Sequence, residues 1–136
     1  IFLGDSGSLM LGFIISFFLI FLYQEKLVHP ILIAWSISIF VYEFLTLNIL
    51  RLQQKRSIFS AGQDHLHHLL LQRNKSKFLT NFYIVLLNVL FFILGYISFL
   101  ILNSLISLIL FFLTFMLYFY FRVKYAKNTK QSKIKF

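Results

Sequence analysis

The chain has 136 residues, 60% of them hydrophobic and only 12% charged, with a formal net charge of +9 and no cysteine. So large an apolar share excludes a soluble globule, whose interior has no room for it, and makes lipid the solvent for most of the chain. The missing thiols exclude a disulfide framework and a thiolate metal site. The charge does not argue for nucleic acid either, because twelve of the thirteen Lys and Arg stand in two clusters beside apolar runs, where they set topology.

The chain opens Ile1-Phe2-Leu3-Gly4-Asp5 with neither an initiator Met nor a basic n-region, and is read as the C-terminal part of a larger helical bundle. Its first apolar run, Leu9 to Leu22, extended by Ser6, Gly7 and Ser8, predicts a helix over about 6–23, roughly 27 Å long and just enough to span. A short turn from Gln24 to Pro30 follows, with the proline suited to a helix start. The second run, 31–50, carries one acid, Glu43. A polar loop over 51–78 separates it from a third run at 82–102. Asn103-Ser104 marks a tight turn before the fourth run, 105–121. Residues 122–136 form a basic tail, expected to be irregular from Lys124 onward or to lie on lipid headgroups.

The fold expected is therefore all-α, a polytopic membrane protein with about four transmembrane helices. The loop holds Arg51, Lys55, Arg56, Arg73, Lys75 and Lys77, and the tail holds Arg122 and five lysines. Both should face the cytoplasm at a plasma or bacterial inner membrane. By parity Gly4 and Asp5 face the same side as the loop.

Two passages carry candidate chemistry. In Asp64-His65-Leu66-His67-His68 a carboxylate and three imidazoles fall within five residues. On a helix, His65 and His68 would share a face, with Asp64 beside His67 and His68. Such a group can bind a metal, hold a phosphate oxygen or shuttle a proton, while the plainer alternative is a solvated loop rich in histidine. Gly4-Asp5-Ser6-Gly7-Ser8, ahead of the first run, either caps that helix or lets a phosphate approach its N-terminus while Asp5 holds a hard cation. Arg51 and Arg56 suit a diphosphate better than the lysines, because a guanidinium matches phosphate geometry with two donors. Glu43 should face the bundle interior, pair with a cation or be protonated, and its two readings are a structural pairing with a basic residue and a catalytic role. Asn48, Asn81, Asn88 and Asn103 are read as interhelical hydrogen-bonding residues, and His29 is given no chemistry.

These passages resemble a known family, the polyprenyl-phosphate N-acetylhexosamine-1-phosphate transferases (glycosyltransferase family 4). Phe2-Leu3-Gly4-Asp5-Ser6-Gly7-Ser8 is similar to its F-x-G-D-x-G-S motif. Phe59 to His68, FSAGQDHLHH, resembles F-x-P-D-x-x-H-[LI]-H-H of the WecA/TagO-like branch, whereas MraY-type members carry three histidines in tandem. The resemblance departs at Ala61-Gly62-Gln63, where the branch has Pro-Asp-Arg, and at Glu43, where the family has Asp. It implies transfer of N-acetylhexosamine-1-phosphate from a UDP-N-acetylhexosamine to a polyprenyl (undecaprenyl) phosphate with release of UMP. The cofactor implied is Mg2+, held by Asp5. His65, His67 and His68 would be catalytic with Asp5, and Gly4, Ser8, Arg51, Arg56 and Asp64 would bind substrate. The family's Asp-Asp pair is expected upstream of Ile1, so this piece alone should be inactive, and the resemblance leaves room for a homodimer. Two competing readings are a histidine-rich di-iron oxygenase, which needs more than one histidine box, and a non-catalytic membrane anchor whose basic loop and tail bind anionic lipid or a partner.

Overall fold

The computed structural model describes residues 4–55, 57, 65–74 and 76–134. The side chains of 4, 5, 8, 72–74 and 127–134 lie outside the described set, so Asp64 and Arg56 are not described at all and Gly4, Asp5, Ser8 and Arg73 only as backbone. Six helices follow one another: α1 (Gly4–Gln24), α2 (Pro30–Ser36), α3 (Ser38–Gln53), α4 (Leu66–Asn74), α5 (Lys77–Ile101) and α6 (Ser104–Ile134). No strand occurs among the described residues, and the all-α expectation holds.

Among the described residues, Lys77–Ile101 and Ser104–Ala126 are each long and apolar enough to cross a membrane. The pair Pro30–Ser36 and Ser38–Gln53 makes a third span if taken as one, while Leu9–Gln24 is apolar but shorter. The protein is thus polytopic, with α1 the least supported span. Large apolar side chains cover its surface on all sides (Leu9, Phe13 and Phe17 are all exposed), as expected where lipid or further protein replaces water.

The second span departs from expectation. Instead of one rod it is two helices meeting at 73° across Ile37. Pro30 stands at the first position of α2, and His29 caps it by accepting a hydrogen bond from the Ile31 N–H on Nδ1 at 3.2 Å. His29 thus has a structural task, and its ring also lies 5.0 Å from Phe99. At the break, backbone groups lose their helical partners, which is costly away from water. Asn88 on α5 replaces them: its amide donates to the Ser36 carbonyl at 2.8 Å, and its Oδ1 accepts from the Ile39 N–H at 3.3 Å. Asn88→Leu leaves two backbone groups unsatisfied, each costing about 1–3 kcal/mol. It should lower the melting temperature measured in detergent, whereas Asn81→Leu, on an exposed position, should change it little.

The core is a seam between α2–α3 and α5–α6. Trp35 and Tyr42 are fully buried, and Ile31, Ile39, Phe111, Phe115 and Tyr118 surround them. In lipid such helices gain little from hydrophobic burial, and close packing with interhelical hydrogen bonds does the work instead. Trp35 donates its indole N–H to Ser107 Oγ at 3.1 Å, and Ser98 donates to the same oxygen at 2.8 Å. Gly95 lies directly against the Trp35 ring, and a Cβ there would collide with it. The Tyr42 hydroxyl donates to the Phe111 carbonyl at 2.8 Å and lies 2.7 Å from Thr114 Oγ1.

Two boundaries also shift. Helix α5 starts at Lys77, capped by Ser76, whose Oγ accepts the Leu79 N–H at 3.4 Å. Helix α6 runs without a break to Ile134, so the stretch from Lys124 expected to be irregular is helical instead. No proline or glycine interrupts it, and lysines and glutamine favour the helical state.

Candidate functional site

Helix α4 carries the histidines. His65 sits just ahead of it, its carbonyl accepting the His68 and Leu69 N–H groups at 3.0 and 3.3 Å. The helix therefore begins at Leu66 rather than including His65. The rings nevertheless gather: His65 and His67 are stacked with centroids 5.7 Å apart, and His67 and His68 are 4.1 Å apart.

The acid of the second span lies beside them. Glu43 Oε1 accepts the Leu66 N–H at 2.6 Å, so this carboxylate caps the first turn of α4 from another helix. Arg122 grips the same carboxylate with two donors, Nε to Oε2 at 3.1 Å and Nη2 to Oε1 at 3.0 Å. Tyr118, one turn before Arg122 on α6, donates its hydroxyl to Oε2 at 2.6 Å. Side-chain exposure is 2% for Arg122 and 14% for Glu43, so the pair is nearly dry. Of the two readings of Glu43, pairing with a base is the one observed. The base is Arg122, which the sequence groups with the solvated tail.

A cavity of about 640 Å³ opens between α3 and the start of α4. Glu43, Asn48 and Arg51 line it from α3, and His65 and His67 from the facing side. A second cavity of about 650 Å³ lies between α4, α5 and α6, walled mostly by leucines with Phe91 and Phe121. The two share Leu66 and Ile84, and the Glu43–Arg122 pair divides them, the acid lining the first and Arg122 with Tyr118 the second. Of the residues expected from sequence, the structure brings together His65, His67, His68 and Arg51. Asp64 and Arg56, and the side chains of Gly4, Asp5 and Ser8, lie outside the described residues. Tyr118 and Arg122 were missed. Their only sequence signal is a Tyr and an Arg four residues apart at the end of an apolar run.

His67 holds its proton less readily than an ordinary histidine. Partial withdrawal from water is the first cause, followed by the charges of His68 and His65, while Glu43 opposes them. A histidine lowered in the folded state stabilises the fold fully above its ordinary value of about 6.5 and loses that contribution as pH falls through it to the folded value. Acidification from about pH 7.5 to about pH 5.5 should therefore loosen α4, read as faster amide exchange at residues 66–71, and His67→Gln should flatten that response.

His65, His67 and Arg51 bordering one cavity set the context for the comparison with known proteins. No family model matches the chain, and no solved structure does. Over 74 residues, 53% of its length, it is 31% identical to the undecaprenyl-phosphate alpha-N-acetylglucosaminyl 1-phosphate transferase of Escherichia coli (strain K12), covering 20% of that protein. The enzyme of the same name from Pasteurella multocida (strain Pm70) matches at 31% over the same share of the chain, with 21% of its own length covered. That from Yersinia pestis matches at 30%. Over that half, the chain is similar to these transferases. The match spans about a fifth of these curated relatives' length.

Proposed function

We propose that the chain forms part of the site at which N-acetylhexosamine-1-phosphate passes from a UDP-sugar to undecaprenyl phosphate, at the start of a cell-wall or surface polysaccharide. The observation that carries this reading is the gathering of His65 and His67 with Arg51 around one cavity beside the membrane-spanning helices, with the His68 ring against His67. The relatives' names support the same reaction.

An oxygen of the lipid phosphate attacks the β-phosphorus of the UDP-sugar. The bond from that phosphorus to the oxygen bridging it to the α-phosphate breaks, and UMP leaves with the electron pair. Such a transfer depends on positioning and charge neutralisation more than on covalent chemistry of the protein. Arg51 and Arg56 supply fixed positive charge for the diphosphate. The imidazoles at 65, 67 and 68 donate N–H groups to phosphate oxygens. Gly4, Ser8 and Asp64, which the resemblance implies bind substrate, would complete the contacts to it.

Mg2+ fits the donor chemistry of this reading. It commonly takes one or two carboxylates together with substrate phosphates rather than a full protein cage. Asp5 would supply a carboxylate, and the ion would offset charge on the diphosphate.

The test is transfer by the full-length parent protein in lipid nanodiscs. Labelled UDP-N-acetylglucosamine and undecaprenyl phosphate should give an extractable lipid-linked sugar with equimolar UMP. Failure to form the lipid product from any UDP-N-acetylhexosamine would overturn the reading.

A further inference from the structure

Glu43 joins three helices at one carboxylate. Its two oxygens are fixed by the Arg122 fork and the Tyr118 hydroxyl from α6, and from that fixed point Oε1 accepts the first N–H of α4 at 2.6 Å. We infer that Glu43 is a positioning residue for the histidine helix, and that α6, through Arg122 and Tyr118, sets where His67 stands over the cavity.

Three observations support this. First, α4 has nine residues, too few to hold a helix without outside contacts. Glu43 provides one at its N-terminus, where free N–H groups need an acceptor, and the next residue along is His67. Second, a carboxylate held by a two-pronged guanidinium cannot rotate, so the direction of its remaining lone pairs is set. Third, Glu43 is the only acid in the run 31–50 and is nearly dry. A link between α3 and α6 alone would be served as well by apolar packing, which a buried ion pair rarely outdoes. An acid is needed where one group must act as counter-ion and as helix cap together.

This inference rests on the proposed transfer only for the importance of His67, and its test separates the two. In the full-length protein in nanodiscs, spin labels at Leu71 on α4 and Tyr120 on α6 report the distance between these helices without substrate. Three variants are compared with wild type: Glu43→Leu, Arg122→Ala and the swap Glu43→Arg with Arg122→Glu. The swap restores the α3–α6 ion pair, yet an arginine at 43 has no acceptor for the Leu66 N–H. It should therefore recover the melting temperature lost in Arg122→Ala but leave the distance distribution broad, with kcat down about 10²-fold and KM for the UDP-sugar much less changed. A swap that sharpens the distribution and restores kcat overturns the inference, because pairing alone then suffices. If the swap fails to fold, Glu43→Leu, which removes the acceptor, decides: a broadened distribution supports the positioning role, and one as sharp as wild type overturns it. If α4 loosens while His67→Ala transfers sugar normally, the positioning role stands and the transferase reading fails.

Discussion

His67→Ala in the full-length protein should leave membrane insertion intact and reduce sugar-1-phosphate transfer about 10²–10³-fold, the scale of losing one well-placed hydrogen-bond donor to developing charge. His67 is singled out because its ring has the other two imidazoles as neighbours at 5.7 and 4.1 Å and lines the cavity opposite Arg51. Folding should hardly notice, since the residue is exposed and its backbone stays in α4. Insertion is checked by protease protection of the loop over 51–78, and transfer by lipid-linked product. His67→Asn, which keeps a donor at shorter reach, should recover part of the rate. A variant that turns over at the wild-type rate would remove the histidines from the reaction.

The largest structural effect is expected at Gly95. In a helix interior, glycine to alanine ordinarily gains up to about 1 kcal/mol from reduced backbone freedom. Here the added Cβ would lie within the indole of Trp35, which is 0% exposed and tied through its N–H to Ser107. Overpacking of a tight core costs about 1–3 kcal/mol and sometimes more, and at this site the neighbour is a large ring with no room to retreat. The clash should therefore win over propensity, and Gly95→Ala should melt lower in detergent than wild type. Gly12→Ala has open space around the new methyl and should be neutral or slightly stabilising. In a double variant, Trp35→Leu should cancel much of the Gly95→Ala loss, and the coupling energy from that cycle tests the contact directly.

Much of the arrangement was legible from apolar runs alone. The helical class, the spans at α5 and α6 and the turn at Asn103 follow from long stretches of Leu, Ile and Phe bounded by polar residues. The Ile37 break was not, because Ser36-Ile37-Ser38 contains neither proline nor glycine. What stabilises the bend is Asn88, more than fifty residues away in sequence, and such an amide looks like any interhelical donor. The histidine cluster was visible as a cluster, but the point where its helix starts was not. The cap that defines the start comes from Glu43 through space, and the local sequence holds no trace of it. Arg122 was misread for a similar reason. An arginine followed by lysines resembles a topology signal, and only tertiary contact turns it into the partner of a buried acid.

The bend in the second span has a mechanical consequence. One amide ties both sides of the corner to α5, so straightening it would return those backbone groups to helical partners but strand the Asn88 amide in hydrocarbon at several kcal/mol. A joint restrained in that way is a bracket and not a hinge, and α3 must travel with α5 as a single body.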